Sequence, residues 1–206
     1  MSLYPALSVC VAAWVSFGVA HSFLATQRAR LRMQAWLGPA ERLGYNLVAV
    51  VHLAAVLVIS AFVFAGQSAF YLPIWFHIIL HLVQIIALVI LVAALREYDL
   101  GLFSGLRQWR SGAFEILDGI SEHLVVAGLH KYVRHPLYAA IILLLFASAT
   151  TPLGLATASC ATMYFIIGLN FEERKLLRLY GEDYRAYCAA TPALVPRWPK
   201  TTMPTG

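Results

Sequence analysis

Long uncharged stretches govern what this chain can become. Residues 4–27, 43–66 and 72–95 each run for more than twenty residues without Lys, Arg, Asp or Glu, and a fourth apolar block extends from 135 to 171. A helix needs about 20 apolar residues to cross a ~30 Å hydrocarbon core, so each stretch is a candidate membrane span. The fourth block is interrupted by "TTPLG", where Pro152 and Gly154 favour a turn. It divides into arms over 136–150 and 152–171 that form a tight helical hairpin. The first arm is short for the core, yet the pattern predicts five spans. Composition agrees, because only 12% of the 206 residues are charged, against about 25% in an average soluble domain. The first span lacks a basic leader segment and is too long for the apolar core of a signal peptide, so it reads as a retained helix. Cys10, Cys160 and Cys188 are odd in number and two lie in apolar spans, which gives no disulfide framework.

Charge placement orients the chain. Arg28, Arg30, Arg32 and Arg42 lie between the first two spans, and Arg96, Arg107, Arg110, Lys131 and Arg134 between the third and fourth. The tail carries Arg174, Lys175, Arg178, Arg185, Arg197 and Lys200, which completes the Lys and Arg inventory. The connections "AGQSAFYLP" and "TTP" hold none. The positive-inside rule then predicts the N-terminus outside and the C-terminus in the cytoplasm. The acids fall on the same side, so the net charge of +5 calls for no nucleic-acid partner.

Residues 96–134 read as an interfacial connection, because "YDLGLFSGLRQW" and "AFEILDGISEHLVVAGL" mix apolar and charged residues. The tail reads as a helix, a break near Gly181 and a second short helix, with Tyr180, Tyr184 and Tyr187 at i, i+4 and i+7 on one face. "TPALVPRWPKTTMP" ends regular structure.

The hairpin brings two charged pairs together. Arg134 and His135 enter the fourth span from the cytoplasm, and Glu172 and Glu173 leave the fifth into it. Antiparallel arms joined by a tight turn place those ends at similar depth, near Tyr132, Tyr138, Tyr184 and Tyr187. Such a cluster suits a small zwitterion, with Arg or His to a carboxylate, Glu to an ammonium and aromatic faces to a cation or base. It is also the pattern of an interfacial salt bridge in an aromatic belt. A second constellation is His52 in the second span with His77 and His81 at i, i+4 in the third, residues that could ligate haem or bond to neighbouring helices. His21, in "AHSFLATQRAR", lies at the end of the first span that faces the Arg134–Glu173 cluster. There is no GxGxxG after a strand, phosphate loop, CxxC, HExxH or GxSxG.

"GLHKYVRHPLYAA", followed about 30 residues later by "EERKLLRLYGEDYRAYCAATPALVP", resembles the membrane-embedded methyltransferases of the isoprenylcysteine carboxyl methyltransferase and phospholipid methyltransferase superfamily. The resemblance covers roughly residues 128–196. "HSFLA", "ERLGYNLVAVVHLA" and "YDLGLFSGLRQW" are similar to the methanethiol S-methyltransferase and NnrU-type branch. What the resemblance implies is an S-adenosylmethionine site built on the hairpin and the C-terminal helices. Gly128, Tyr132, Arg134, His135, Pro136, Tyr138, Glu172, Glu173, Tyr184 and Tyr187 occupy its motif positions. His130 stands where the family carries tyrosine, and Ala140 where it carries glycine.

The expected protein is an all-α integral membrane methyltransferase dependent on S-adenosylmethionine, with about five transmembrane helices in one domain. Residues 1–95 supply three helices, 96–134 the connection, 135–171 the hairpin, and 172–206 a cytoplasmic tail that completes the cofactor site. The cofactor-binding candidates are the motif residues above with His130. Arg134, His135 and Glu173 are the catalytic candidates, and no metal is expected. The acceptor is a small or lipophilic molecule, in the first place a thiol, with a prenylated cysteine carboxylate or a phospholipid amine as other acceptors. His135, His21 and Glu173 are the groups available to take a thiol's proton. A haem-binding, NnrU-like redox protein is the alternative. The expected setting is multi-pass in a bacterial inner membrane, with the active site on the cytoplasmic face, membrane lipid as neighbour and no obligate protein partner.

Overall fold

The computed structural model describes residues 2–112, 124 and 126–197. Among these residues the secondary structure is helical throughout. The helices are α1 (Leu3–Leu24), α2 (Gln27–Leu37), α3 (Glu41–Phe64), α4 (Ile74–Leu95), α5 (Leu100–Ser104), α6 (Leu106–Ser111), α7 (Pro136–Ala147) and α8 (Pro152–Ala190). Short 3-10 turns occupy Gly38–Ala40 and Gly128–Lys131. α1, the continuous α2–α3 stretch, α4 and α8 are four helices long and apolar enough to cross a membrane. The reading of "AFEILDGISEHLVV" as interfacial falls largely on 113–123 and 125, outside the described residues.

All the described Lys and Arg residues lie in segments attached to one end of this bundle, its charged end. There α2 starts at Thr26, whose hydroxyl accepts from the Ala29 amide. Arg30 then reaches Glu41 through Nε and Nη2 at 3.0 and 3.2 Å, fixing α2 to the first turn of α3. Arg42 and Asn46 donate to the carbonyl of Phe103, holding the α5–α6 connection against α3.

α1, α3 and α8 share a core of Ala6, Cys10, Trp14, Phe17, Val56, Phe64, Ala156 and Ala161. Half of these side chains are small (Ala6, Cys10, Ala156 and Ala161) and let the helices approach closely around the rings of Trp14, Phe17 and Phe64. The outward faces are rich in exposed Val, Leu and Ile, such as Val15, Val58 and Val89. α4 packs against α7, and α7 against α8.

The first arm of the hairpin is shorter than predicted. α7 ends at Ala147 rather than near 150, and its 12 residues extend about 18 Å, well under a ~30 Å core. Thr151, which precedes Pro152, is extended (φ −135°, ψ 159°), as a residue before proline tends to be. Thr151 then caps α8 by accepting from the Gly154 amide. The shortened helix exposes carbonyls that nonpolar surroundings would leave unpaired. Gln84 of α4 meets that need, donating to Ala147 O at 3.0 Å and to Ser148 Oγ at 3.3 Å.

α8 runs for 39 residues and is broken at Gly181, where φ is 55° and ψ −122°. Glycine adopts that left-handed backbone without the clash a Cβ would meet. The kink lies where the sequence predicts a bend. It interrupts the face expected for Tyr180, Tyr184 and Tyr187, leaving a ring contact between Tyr184 and Tyr187 at 5.9 Å. Beyond α8 the chain returns to the hairpin: Arg134 N donates to Pro192 O and His135 N to Ala193 O, at 2.9 and 3.0 Å.

Candidate functional site

The hairpin fixes the first half of the site. Pro136 opens α7 at a position where its missing N–H costs no bond, and Arg134 and His135 precede it. α8 delivers Glu172 and Glu173 to the same level. Arg134 Nε and Nη2 both reach Glu173 Oε1, at 2.8 and 2.6 Å, while Nη1 donates to the carbonyls of Cys188 and Thr191. Burial alone would lower the Arg134 guanidinium, but the Glu173 carboxylate outweighs it and holds the group above its ordinary pKa. Arg134 thus joins the start of α7, the side of α8 and the end of α8 in one hub.

His135 is 7% exposed. Its Nε2 lies 3.2 Å from Glu173 Oε1 and its Nδ1 3.8 Å from Glu172 Oε2. Its ring stacks on Tyr138 at 5.5 Å with only 4° between planes, and Tyr138 stacks in turn on Phe165 at 5.2 Å. Tyr138 donates to Glu172 Oε2 at 2.9 Å. Glu172 is 45% exposed against 22% for Glu173. One carboxylate is therefore committed to the fold, and the other keeps a face for a ligand.

Gly128 shows why its position requires glycine. Its φ is +52°, and a Cβ there would overlap the Glu97 carboxylate, with Cδ at 2.6 Å. Glu97 accepts from the Leu129 amide at 2.8 Å and lies 3.6 Å from His130 Nε2. His130 Nδ1 meets Arg134 O at 3.0 Å, and the His130 carbonyl accepts from Tyr187 Oη at 2.6 Å. Tyr98 packs edge-on against His130. Burial pushes the Tyr98 hydroxyl up, and the negative charges of Glu172 and Glu97 add to it. Tyr184 is buried, with its hydroxyl unpartnered among the described residues. Burial and the nearby Glu173 charge both raise it. Burial likewise raises Tyr187.

Of the sequence-predicted residues, Gly128, His130, Arg134, His135, Pro136, Tyr138, Glu172, Glu173, Tyr184 and Tyr187 come together. Tyr132 does not join them in a recorded contact and is 67% exposed. Glu97, Tyr98 and Phe165 belong to the cluster and were not predicted. The available signal for Glu97 was its place directly after a span, at the charged end. Three carboxylates (Glu97, Glu172 and Glu173) gather around the Arg134 guanidinium and the His130 and His135 rings, and Glu172 is the most exposed of the three.

The other histidines are dispersed. His52 Nε2 meets Ser16 Oγ at 3.2 Å between α3 and α1, and His81 Nδ1 meets Gln84 on α4 itself at 2.9 Å. An open groove of about 580 Å³ at the α1–α2 corner is lined by Phe23, Thr26, Gln27, Arg28, Ala29 and Arg32. It shares no residue with the cluster.

Comparison with known proteins finds relatives that match parts of the chain. A 69-residue stretch is 38% identical to methanethiol S-methyltransferase 1 of Bradyrhizobium diazoefficiens, covering 33% of this chain and 24% of that protein. A 100-residue stretch is 36% identical to methanethiol S-methyltransferase of Mycobacterium tuberculosis, covering 46% of this chain and 38% of that protein. Over these stretches the chain is similar to methanethiol S-methyltransferases. A further one, from Pseudomonas deceptionensis, is 36% identical over 69 residues, or 33% of this chain and 26% of its own length. The chain thus spans between about a quarter and two fifths of the methanethiol S-methyltransferases it matches. No protein-family model and no solved structure matches it.

Proposed function

We propose that the chain is a membrane-embedded, S-adenosylmethionine-dependent methyltransferase whose acceptor is a thiol. The observation that carries this reading is the meeting of Arg134, His135 and Tyr138 with Glu172 and Glu173, in a chain related to methanethiol S-methyltransferases. In this reading α7 enters from the cytoplasm as a fifth, short membrane helix, and the charged end faces the cytoplasm of a bacterial inner membrane.

The residues fit S-adenosylmethionine on their own chemistry. The half-exposed Glu172 carboxylate suits an ammonium, the unpartnered Tyr184 hydroxyl offers a buried hydrogen bond, and the Tyr138–Phe165 stack offers aromatic faces. When bound, the cofactor supplies a methyl group activated on a positively charged sulfur. The protein's part is positioning, electrostatic attraction and exclusion of water. Arg134 holds Glu173 and the end of α8 in place, so its role is to shape the site. Glu172 and Tyr138 present the binding surface. Glu97 and Gly128 fix the loop that carries His130. Acceptors that partition into the bilayer reach such a site from the lipid side, and the cofactor from the aqueous side.

Calorimetric titration of detergent-purified protein with S-adenosylmethionine tests the reading, together with methyl transfer to methanethiol and longer alkanethiols. Binding that is weakened about tenfold or more in Glu172→Gln and Tyr138→Ala variants is the expected result. Absence of binding, or transfer to no thiol, overturns it.

A further inference from the structure

A second polar cluster lies deeper in the bundle, where α1, α3 and α8 meet. His21 Nε2 is 2.6 Å from Tyr45 Oη and His21 Nδ1 is 2.9 Å from Tyr164 Oη. Each phenol comes from a different helix. Phe17 packs on the imidazole at 5.5 Å and touches His52 on its other side. His21, Tyr45 and Tyr164 are each half-buried, so the cluster is reachable at the bundle surface. The groups in contact with His21 are hydroxyls and rings, whereas His135 is bonded to Glu173, which Arg134 holds in turn.

An aromatic series links the two clusters. Tyr164 contacts Phe165 at 5.7 Å, Phe165 stacks on Tyr138, and Tyr138 stacks on His135. Tyr164 precedes Glu172 by eight residues on α8, about 12 Å along the helix axis. A ligand held at Glu172 and reaching Tyr164 would run along this aromatic series.

We propose that the Tyr164–His21 pair is the thiol site, with Tyr164 Oη touching the acceptor's sulfur group and His21 taking its proton. This inference rests on the methyltransferase reading above. The thiol donates its S–H to Tyr164 Oη as Tyr164 passes its own hydrogen to His21 Nδ1, whose Nε2–H remains on Tyr45. The freed sulfur electron pair forms the new bond to the methyl carbon. The old carbon–sulfur bond breaks with its pair kept by the departing sulfur, which becomes a neutral thioether. The proton then leaves through Tyr45, one helical turn from the Glu41–Arg30 ion pair at the charged end. The substrate class is a lipophilic thiol without charge, because the site offers no ionic partner.

The test compares wild type with Tyr164→Phe, which retains the ring packing, and His21→Gln. Turnover of an alkanethiol should fall by about 100-fold or more in both variants, the usual contribution of a general base. Affinity for S-adenosylhomocysteine should be unchanged. Thiophenol, whose far more acidic S–H needs less help from a base, should restore turnover towards wild type, which a merely structural role would not do. A readout independent of turnover is the infrared S–H stretch of bound alkanethiol, lowered in frequency by the hydrogen bond in wild type and not in Tyr164→Phe. Equal losses for both thiols, lost S-adenosylhomocysteine binding, or an S–H band identical in the two proteins would overturn the proposal. If wild-type protein methylates no thiol, the enzymatic reading falls, while the infrared shift still decides whether a thiol sits at Tyr164.

Discussion

Glu172 and Glu173 are adjacent in sequence, yet they should respond differently to the same substitution. Glu173→Gln keeps a carbonyl oxygen where Oε1 now accepts from Arg134 and His135, but removes the charge facing a guanidinium that is 11% exposed. Stripping one partner from a buried ion pair costs about 3–5 kcal/mol. Glu173 is 22% exposed, which screens part of that, and the Cys188 and Thr191 carbonyls stay on Arg134. A loss of about 2–3 kcal/mol is expected, or about 5–10 °C in thermal midpoint for a chain of this size. Glu172→Gln removes a 45% exposed carboxylate whose side-chain donor is Tyr138, so its stability cost should stay below about 1 kcal/mol. Its binding cost is larger, because an ammonium would lose a charged partner worth about 1.5–3 kcal/mol, roughly tenfold to a hundredfold in affinity. S-adenosylmethionine and S-adenosylhomocysteine should weaken in parallel, since both carry the ammonium. Thermal melts in detergent and calorimetric titration separate the two effects. If Glu172→Gln melts as early as Glu173→Gln, or binds as wild type does, the assignment of one carboxylate to the fold and the other to the ligand is wrong.

Three further outcomes follow from particular contacts. Gly128→Ala combines a left-handed backbone, costing about 1–2 kcal/mol, with displacement of Glu97; in a Glu97→Ala background, which already lacks the Leu129 bond, the same change should cost only the backbone term, read by thermal melts. Gln84→Leu leaves the Ala147 carbonyl without its donor, and should lower the melting midpoint through a loss of about 1–3 kcal/mol; Gln84→Glu, which keeps the size but not the donor, should do no better. Tyr98, Tyr184 and Tyr187 have raised pKa values in the fold, so the unfolded chain ionises first, near pH 10. Their contribution is complete below that pH and is lost above it as the pH rises towards the folded values; melts from pH 7 to 11 should decline only at the alkaline end, less steeply in Tyr184→Phe.

Much of the charged end was legible because the arithmetic of a hairpin leaves little freedom. Two antiparallel arms with a short turn bring residues 134–135 and 172–173 together, and the contacts of Arg134 and His135 with Glu173 are the result. The bend at Gly181 was readable from the residue that permits it. Glu97 was not, because its partners, Leu129 and His130, lie across a long connection whose path no periodicity specifies. Arg134's bonds to the Cys188 and Thr191 carbonyls were equally hidden, since backbone acceptors carry no residue-type signal. That the first arm is short was legible, but not its end at Ala147, because hydropathy reports where a span is permitted, while Thr151 before Pro152 and the Gln84 contact decide where the helix stops. The His21 cluster depends on which faces of three helices meet.

The return of the chain after α8 has a consequence for how the protein is made. The amides of Arg134 and His135 find their acceptors at Pro192 and Ala193, almost sixty residues later in synthesis. Arg134 and His135 leave the ribosome well before those acceptors do. Until they do, the motif at the start of α7 has two open amides and Arg134 lacks the carbonyls at the end of α8. The arrangement around Arg134 and His135 is thereby coupled to synthesis of residues 192–193, and a chain cut before them carries its charged residues without the architecture that aims them.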